Sequence, residues 1–306
     1  MDTLDHINIH FDQNQIFLLN ICLGILMFGV ALDLKLSDFT YISKNPKSVI
    51  VGLFSQWIIL PILTLILIWI IRPEYSLALG MILISACPGG NVSNYAVHLA
   101  GANTALSVII TTTSTLFCVL STPILFSCMS KWLPGVSTQP IEFDISFYNM
   151  AITIGQLILL PILFGQIMTI FFPEWVKKIR KPIKILSLLI FIAFVIVAIA
   201  GNLQNLQKYI GHVFFIVMLH NGLALTIGYV WANKLMKLDV PESRAISIET
   251  GIQNSGLALI LIFNYYDGKG GMALIAAWWS VWHLLSASGL AYVWRKKRNA
   301  ISVRAL

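Results

Sequence analysis

The run SIETGIQNSGLAL, residues 247–259, places Glu249 inside one of the most apolar stretches of the chain. A carboxylate in hydrocarbon costs roughly 2.5–3.5 kcal/mol even on lenient insertion scales, so an acid at that depth points to function. The other acids sit at the ends of apolar segments or in loops, and no Lys or Arg lies at comparable depth to pair with Glu249. The group is therefore protonated or balanced by something that is not protein, and a bound cation is the natural counter-charge. Oxygen donors recur nearby. In NTALSVIITTTSTLFCVLST, Ser107, Thr111, Ser114 and Thr115 fall at helical spacing on one face. Ser93 and Asn94 add oxygens from a second segment, and Gln56 is the one amide of GLFSQWIILPIL. Hard, neutral oxygens with a single carboxylate suit a monovalent cation such as Na⁺ better than Ca²⁺, which recruits more carboxylates. No ordered Cys/His set is available for a transition metal. Taken singly, Ser107 and Thr111 could equally back-bond to their own helix, and Gln56 could be interhelical glue.

The elements that must position these groups are membrane spans. Of the 306 residues, 58% are hydrophobic and only 11% are charged, with a mean hydropathy of +0.82; soluble domains carry about 25% charged residues. The composition predicts an all-α polytopic membrane protein of one domain, with nine spans near 15–33, 48–71, 76–100, 103–129, 146–172, 182–201, 212–236, 243–265 and 271–294. The net charge of +7 does not indicate nucleic-acid binding, because the basic residues lie between apolar runs and form no face. With the N-terminus outside, 16 of the 20 basic residues fall on the inner side and only Arg72, Lys131, Lys208 and Lys269 on the outer. That split predicts an N-out, C-in topology. The RKKR run at 295–298 reads first as a topology anchor, with anionic lipid as a second reading. The acidic N-terminal stretch, which lacks Lys and Arg, does not read as a cleavable signal peptide. Cys22, Cys87, Cys118 and Cys128 lie in apolar segments without CxxC spacing and read as small hydrophobes. His98 and His220 read as packing or interhelical hydrogen-bonding residues, and Trp132, Trp175, Trp231 and Trp294 as an interfacial belt.

Two spans are interrupted. Pro88, Gly89 and Gly90 cannot comfortably continue a helix, and the polar residues Asn91, Ser93 and Asn94 follow at once. Glu249 to Asn254 interrupts the other. Broken backbone at membrane depth is tolerated only against protein or a watery cavity. The two spans are third and eighth, so they cross the bilayer in opposite directions. A pair of this kind is what an inverted repeat predicts, and it points to a transporter's binding site. Glu249 lies about 7 residues, roughly 10 Å, from the inner edge of its span, while Cys87–Asn94 lies roughly 16 Å or more from the outer edge of its own. Both breaks can meet near the midplane.

FGVALDLKLSDF, ACPGGNVSN, ALSVIITTTST and SIETGIQNSGLAL resemble the bile acid:sodium symporter family, with agreement along nearly the whole chain. The resemblance implies a core domain, in which two broken helices cross, and a separate panel domain: here core from about 48–129 and 212–294, and panel from about 15–33 and 146–201. It implies two sodium sites. Ser93, Asn94, Ser107, Thr111 and Glu249 would form one. Gln56, Glu249 and Gln253, with the carbonyls of Thr250 and Ile252, would form the second. Substrate contacts beside the crossing are implied for Asn91, Asn254 and His283, although His283 also fits a packing position. Two departures stand out. Bacterial members resembling this chain have an additional first helix, whereas nine are expected here. Leu284 also follows His283 where similar members carry Asn, so one polar substrate contact is lost.

The expected function is sodium-coupled symport of an organic anion, a bile acid or a smaller carboxylate, by alternating access in a bacterial inner membrane. The expected partners are the anion, sodium ions and the bilayer, with no nucleic acid and no obligate protein partner. Proton coupling through Glu249, or export of a pantoate-like carboxylate, is the alternative. An intramembrane enzyme would want a second acid, a Ser–His pair or a metal cluster, and a channel would want a repeated filter motif.

Overall fold

A computed structural model of the chain describes residues 5, 13–32, 40–90, 92–134, 147–200 and 203–304. Every regular element in it is a helix. Among the described residues, six helices are long and apolar enough to cross a membrane: Gln13–Ala31, Pro46–Ile71, Thr104–Ser130, Phe147–Phe171, Gly211–Leu235 and Gly270–Lys296. Two shorter apolar helices, Tyr75–Ala86 and Ser255–Tyr265, accompany them. In chain order the elements are α1 (Gln13–Ala31), α2 (Thr40–Lys44), α3 (Pro46–Phe54), α4 (Leu60–Ile71), α5 (Tyr75–Ala86), α6 (Val92–Leu99) and α7 (Thr104–Ser130). These are followed by α8 (Phe147–Ile154), α9 (Leu160–Phe171), α10 (Pro173–Ala200), α11 (Leu203–Val230), α12 (Val240–Gly251), α13 (Ser255–Tyr265) and α14 (Gly270–Arg304).

The two spans expected to be interrupted are interrupted: α5 and α6 flank one break, and α12 and α13 flank the other. One half of each, α5 and α13, is buried almost all round. A helix apolar on every side is one that packs against protein on every side. α5 and α13 both pack on α14, and α12 packs on α11, α7 and α6. One apolar cluster is built largely from α5, α13, α14 and α1. A second is built from α3, α6, α7, α12 and the later part of α14. The polar breaks lie between these two layers.

Three helices depart from the expected spans at their ends. α10 begins at Pro173, so Lys177, Lys178, Arg180 and Lys181 ride on its first turns and not in a loop. α11 begins at Leu203 rather than near 212. α14 runs on to Arg304, so the RKKR run is helical. Hydropathy marks where a helix leaves hydrocarbon, not where its hydrogen bonds end, and basic residues are good helix formers. The bonds of α3–α4 and α8–α9 also widen to the π pattern over Ser55–Ile59 and Gly155–Leu159. In each case a proline, Pro61 or Pro161, follows directly. A proline has no N–H to donate and crowds the carbonyl four residues back, and a wide turn accommodates both defects. Trp231–Leu235 is a third π segment, without a proline.

Candidate functional site

The first break begins where Cys87 turns extended at the end of α5. Residues 88–90 then meet residues 252–254 as a short antiparallel pair, with Gly89 opposite Gln253. Gly90 N–H donates to Ile252 O at 3.0 Å, and Asn254 N–H donates to Pro88 O at 2.8 Å. Each broken helix thus satisfies the other's orphaned backbone, as a dry interior requires. Glycine is needed by close approach: a Cβ on Gly89 would stand 2.7 Å from Gln56 Nε2 and 2.9 Å from Glu249 Oε2, and one on Gly90 would stand 3.0 Å from Gln253 O.

Glu249, on the last turn of α12, is fully buried at this crossing. Its Oε1 accepts from Ser93 Oγ at 2.5 Å and from Ser107 Oγ. Its Oε2 accepts from Thr111 Oγ1 at 2.8 Å and, at 3.4 Å, from Gln56 Nε2. Gln56 Nε2 also donates to the Glu249 carbonyl at 3.1 Å. Ser107 Oγ lies 2.8 Å from Asn94 Oδ1, and Ser93 Oγ lies 3.2 Å from Thr111 Oγ1. A hydroxyl carries one proton. The protons of Ser93, Ser107 and Thr111 therefore serve five close oxygen–oxygen contacts. With the carboxylate ionised, those three hydrogens are fewer than the contacts they serve. Oxygens facing oxygens in this way are an environment for a cation. On the other side of the carboxylate, Gln56 Oε1 and Gln253 Oε1 are buried with no hydrogen-bond partner. The donor set is hard oxygen throughout, which fits an alkali ion. Among the described residues no three His, Cys, Asp or Glu side chains come together.

All the side chains expected at the two ion sites are therefore brought together. Gln253 Nε2 donates to Thr250 O at 3.0 Å, and Ile252 O is taken by Gly90, so both carbonyls lie at the crossing. Ser114, expected among the same oxygens, instead accepts from Gly89 N–H at 3.3 Å and props the first break. Of the expected substrate contacts, Asn91 lies outside the described residues. Asn254 caps α13 through its Oδ1, which accepts from Leu257 N–H at 3.1 Å. His283 is buried on α14 with its Nδ1 unpartnered. It stands between Ser280, which donates to Ser255 Oγ at 2.7 Å, and Ser286.

Sequence reading missed two residues. Asn221 of α11 is fully buried; its Nδ2 donates to Gly251 O at 2.7 Å, and its Oδ1 accepts from Ser286 Oγ at 2.6 Å. It fixes a carbonyl freed by the break and ties it to α14. Ser55 donates to Thr250 Oγ1 at 2.7 Å, because that hydroxyl spends its own proton on Ile246 O. The signal for Asn221 was present, an amide within the apolar run VMLHNGLAL.

The sequence profile of the sodium bile acid symporter family matches residues 20–209. An uncharacterized sodium-dependent transporter of Bacillus subtilis, YocS, is 38% identical over 280 residues, covering 91% of this chain and 83% of that one. The probable chloroplastic sodium/metabolite cotransporter BASS2 of Oryza sativa subsp. japonica is 32% identical over 92% of this chain, which spans 64% of the rice protein. The corresponding BASS1 of Arabidopsis thaliana is 30% identical over 90% of this chain and 66% of its own length. With more than half of its length matched by the profile, and the crossing of broken helices at its centre, the chain belongs to the sodium bile acid symporter family.

Proposed function

We propose that the protein is a sodium-coupled symporter of an organic anion. The observation that carries this reading is the crowding of oxygen around Glu249: with its carboxylate ionised, the three hydroxyl hydrogens of Ser93, Ser107 and Thr111 serve five close contacts. One Na⁺ would sit among Ser93, Asn94, Ser107, Thr111 and Glu249. A second would be held by Gln56, Glu249 and Gln253 with the Thr250 and Ile252 carbonyls, where the two orphaned glutamine oxygens supply ligands. Binding the two ions fastens both breaks to α7 and to the Gln56 turn. That shapes the cavity beside the crossing, where Asn254, His283 and Asn91 would meet the anion.

Nine crossings in all, counting each broken helix pair as one and α10 as another, give an inverted repeat with a core of α3–α7 and α11–α14 and a panel of α1 and α8–α10. Rocking one against the other alternates access. Each elementary charge moved is worth roughly 2.3 kcal/mol per 100 mV, so two Na⁺ with a monoanion are drawn inward by an inside-negative potential. The sodium-dependent and sodium/metabolite relatives support this coupling.

The test is uptake by proteoliposomes of a panel of anions, from bile salts to pantoate. At least one anion is expected to accumulate under an inward Na⁺ gradient, faster with the interior negative, and to stop accumulating when choline replaces Na⁺. Uptake driven equally well by a pH gradient in choline would assign the coupling to protons at Glu249 instead.

A further inference from the structure

A cavity of about 560 Å³ lies between α11, α12 and α14, with Leu225, Ser247 and Ser286 in its wall on the side of the crossing. Its walls are mainly Gly222, Thr226, Val230, Leu285, Gly289 and Val293. Leu285 and Val293 are exposed apolar side chains at its edge. Two glycines leave it unfilled: a Cβ on Gly222 or Gly289 would meet nothing within 4 Å. Between Leu285 and Trp294, the α14 residues at its two ends, an α-helix rises about 14 Å, close to the hydrocarbon depth of one leaflet.

Its narrow end is cationic and aromatic. Trp294 lines it, its ring tilted against that of Tyr229. The Arg244 guanidinium lies 5.3 Å from the centre of the Trp294 ring. α14 continues from there into Arg295, Lys296, Lys297 and Arg298. An apolar slot one leaflet deep with a basic, tryptophan-marked mouth matches one acyl chain and the phosphate of an anionic phospholipid.

We propose that this groove binds an anionic phospholipid of the inner leaflet, one chain between α11 and α14 and its phosphate at Arg244 and the basic end of α14. The lipid would bear on transport. Ser286 lies in the groove wall and donates to Asn221, which holds the Gly251 carbonyl of the broken helix. A chain seated against Ser286 therefore sets how α14 stands against the crossing.

Native mass spectrometry of the detergent-purified full chain, titrated with phosphatidylglycerol or phosphatidylcholine, tests this. Phosphatidylglycerol is expected to bind at least about tenfold tighter, and Arg244→Gln to remove about fivefold of that preference, the worth of one basic side chain at a lipid surface. Gly289→Leu and Gly222→Leu each fill the groove and are expected to abolish the tight site, while the thermal stabilisation given by Na⁺ persists because neither touches the carboxylate. Equal retention of the two lipids, or tight phosphatidylglycerol binding that survives both leucine variants, overturns the proposal. Displacement of the bound lipid by a soluble bile salt at equal concentration would overturn it too, by making the groove a substrate site. A protein that never responds to Na⁺ but shows the expected lipid pattern would defeat the transport reading and leave this one standing.

Discussion

At the scale of single residues, the site is a problem of charge without a counter-charge. Glu249 is surrounded by neutral groups, and the ion pair found among the described residues, Lys177–Glu174, is solvent-exposed and distant from it in sequence. Replacing Glu249 with Gln keeps the size and lets Ser93 and Ser107 still donate to the remaining oxygen, while it removes the charge that would hold a cation. Losing one partner of a buried charge pair costs about 3–5 kcal/mol, or a hundredfold and more in affinity. Glu249→Gln is therefore expected to fold and melt no lower than wild type without sodium, because burying an amide is cheaper than burying a carboxylate. It should also lose the sodium-induced rise in melting temperature, which for wild type at 100 times the dissociation constant is worth about 2.7 kcal/mol. A sodium response of undiminished size in the variant would place the ion elsewhere. Glu249, Gln56, Ser93, Ser107 and Thr111 were legible in the sequence because polar groups at membrane depth are costly and each demands a reason. Asn221 carried the same signal, an amide in an apolar run, but its role did not, because its partner, the Gly251 carbonyl, becomes available only where a helix thirty residues away comes apart.

At the scale of elements, the breaks matter more than the helices they divide. Pro88-Gly89-Gly90 announced the first, since these residues disfavour a helix in any setting. The second has no proline, and only the cluster of polar residues from Glu249 to Asn254 gave it away. The π turns were hidden. Pro61 and Pro161 predict a disturbance upstream but not whether it becomes a kink or a widened turn. Yet the wide turn at Ser55–Ile59 is what carries both Ser55 and Gln56 toward α12, where they reach Thr250 and Glu249. Packing at the crossing yields a sharp expectation. Gly89→Ala would press a methyl group against Gln56 Nε2 and Glu249 Oε2, both under 3.0 Å away, and Gln56 must swing out to admit it. Sodium stabilisation should fall by at least about tenfold in apparent affinity, the loss of ~1.4 kcal/mol. Gly24→Ala, whose Cβ would meet nothing closer than Pro161 Cγ at 3.8 Å, should leave it unchanged. The two melting curves against sodium concentration decide the matter, and parallel behaviour would mean the crossing tolerates what its geometry says it cannot.

At the scale of the whole molecule, a polar layer lies between two apolar ones, and its position in the bilayer decides what each face meets. That the chain is a polytopic helical membrane protein was readable because bilayer thickness acts on composition alone, and the bias of Lys and Arg sets the orientation it is expected to take. The pairing of the two breaks into one antiparallel contact follows from long-range packing that no local pattern encodes; opposed direction made it allowed, and only the fold made it so. Orientation links the ion site to the lipid groove, because the basic mouth at Arg244 must face the inner leaflet if anionic headgroups are to reach it. Lys131, at the end of α7, and Lys47, at the start of α3, are both exposed and lie at opposite ends of the bundle. Cys87 and Cys118 are buried. In a background where Cys22 and Cys128 are replaced by Ser, a membrane-impermeant maleimide is expected to label Lys131→Cys in intact cells and Lys47→Cys only after permeabilisation. The reverse pattern would turn the molecule over. It would put the groove in the outer leaflet with its mouth facing the wrong lipids, and it would make the sixteen-to-four division of basic residues a signal the membrane did not obey.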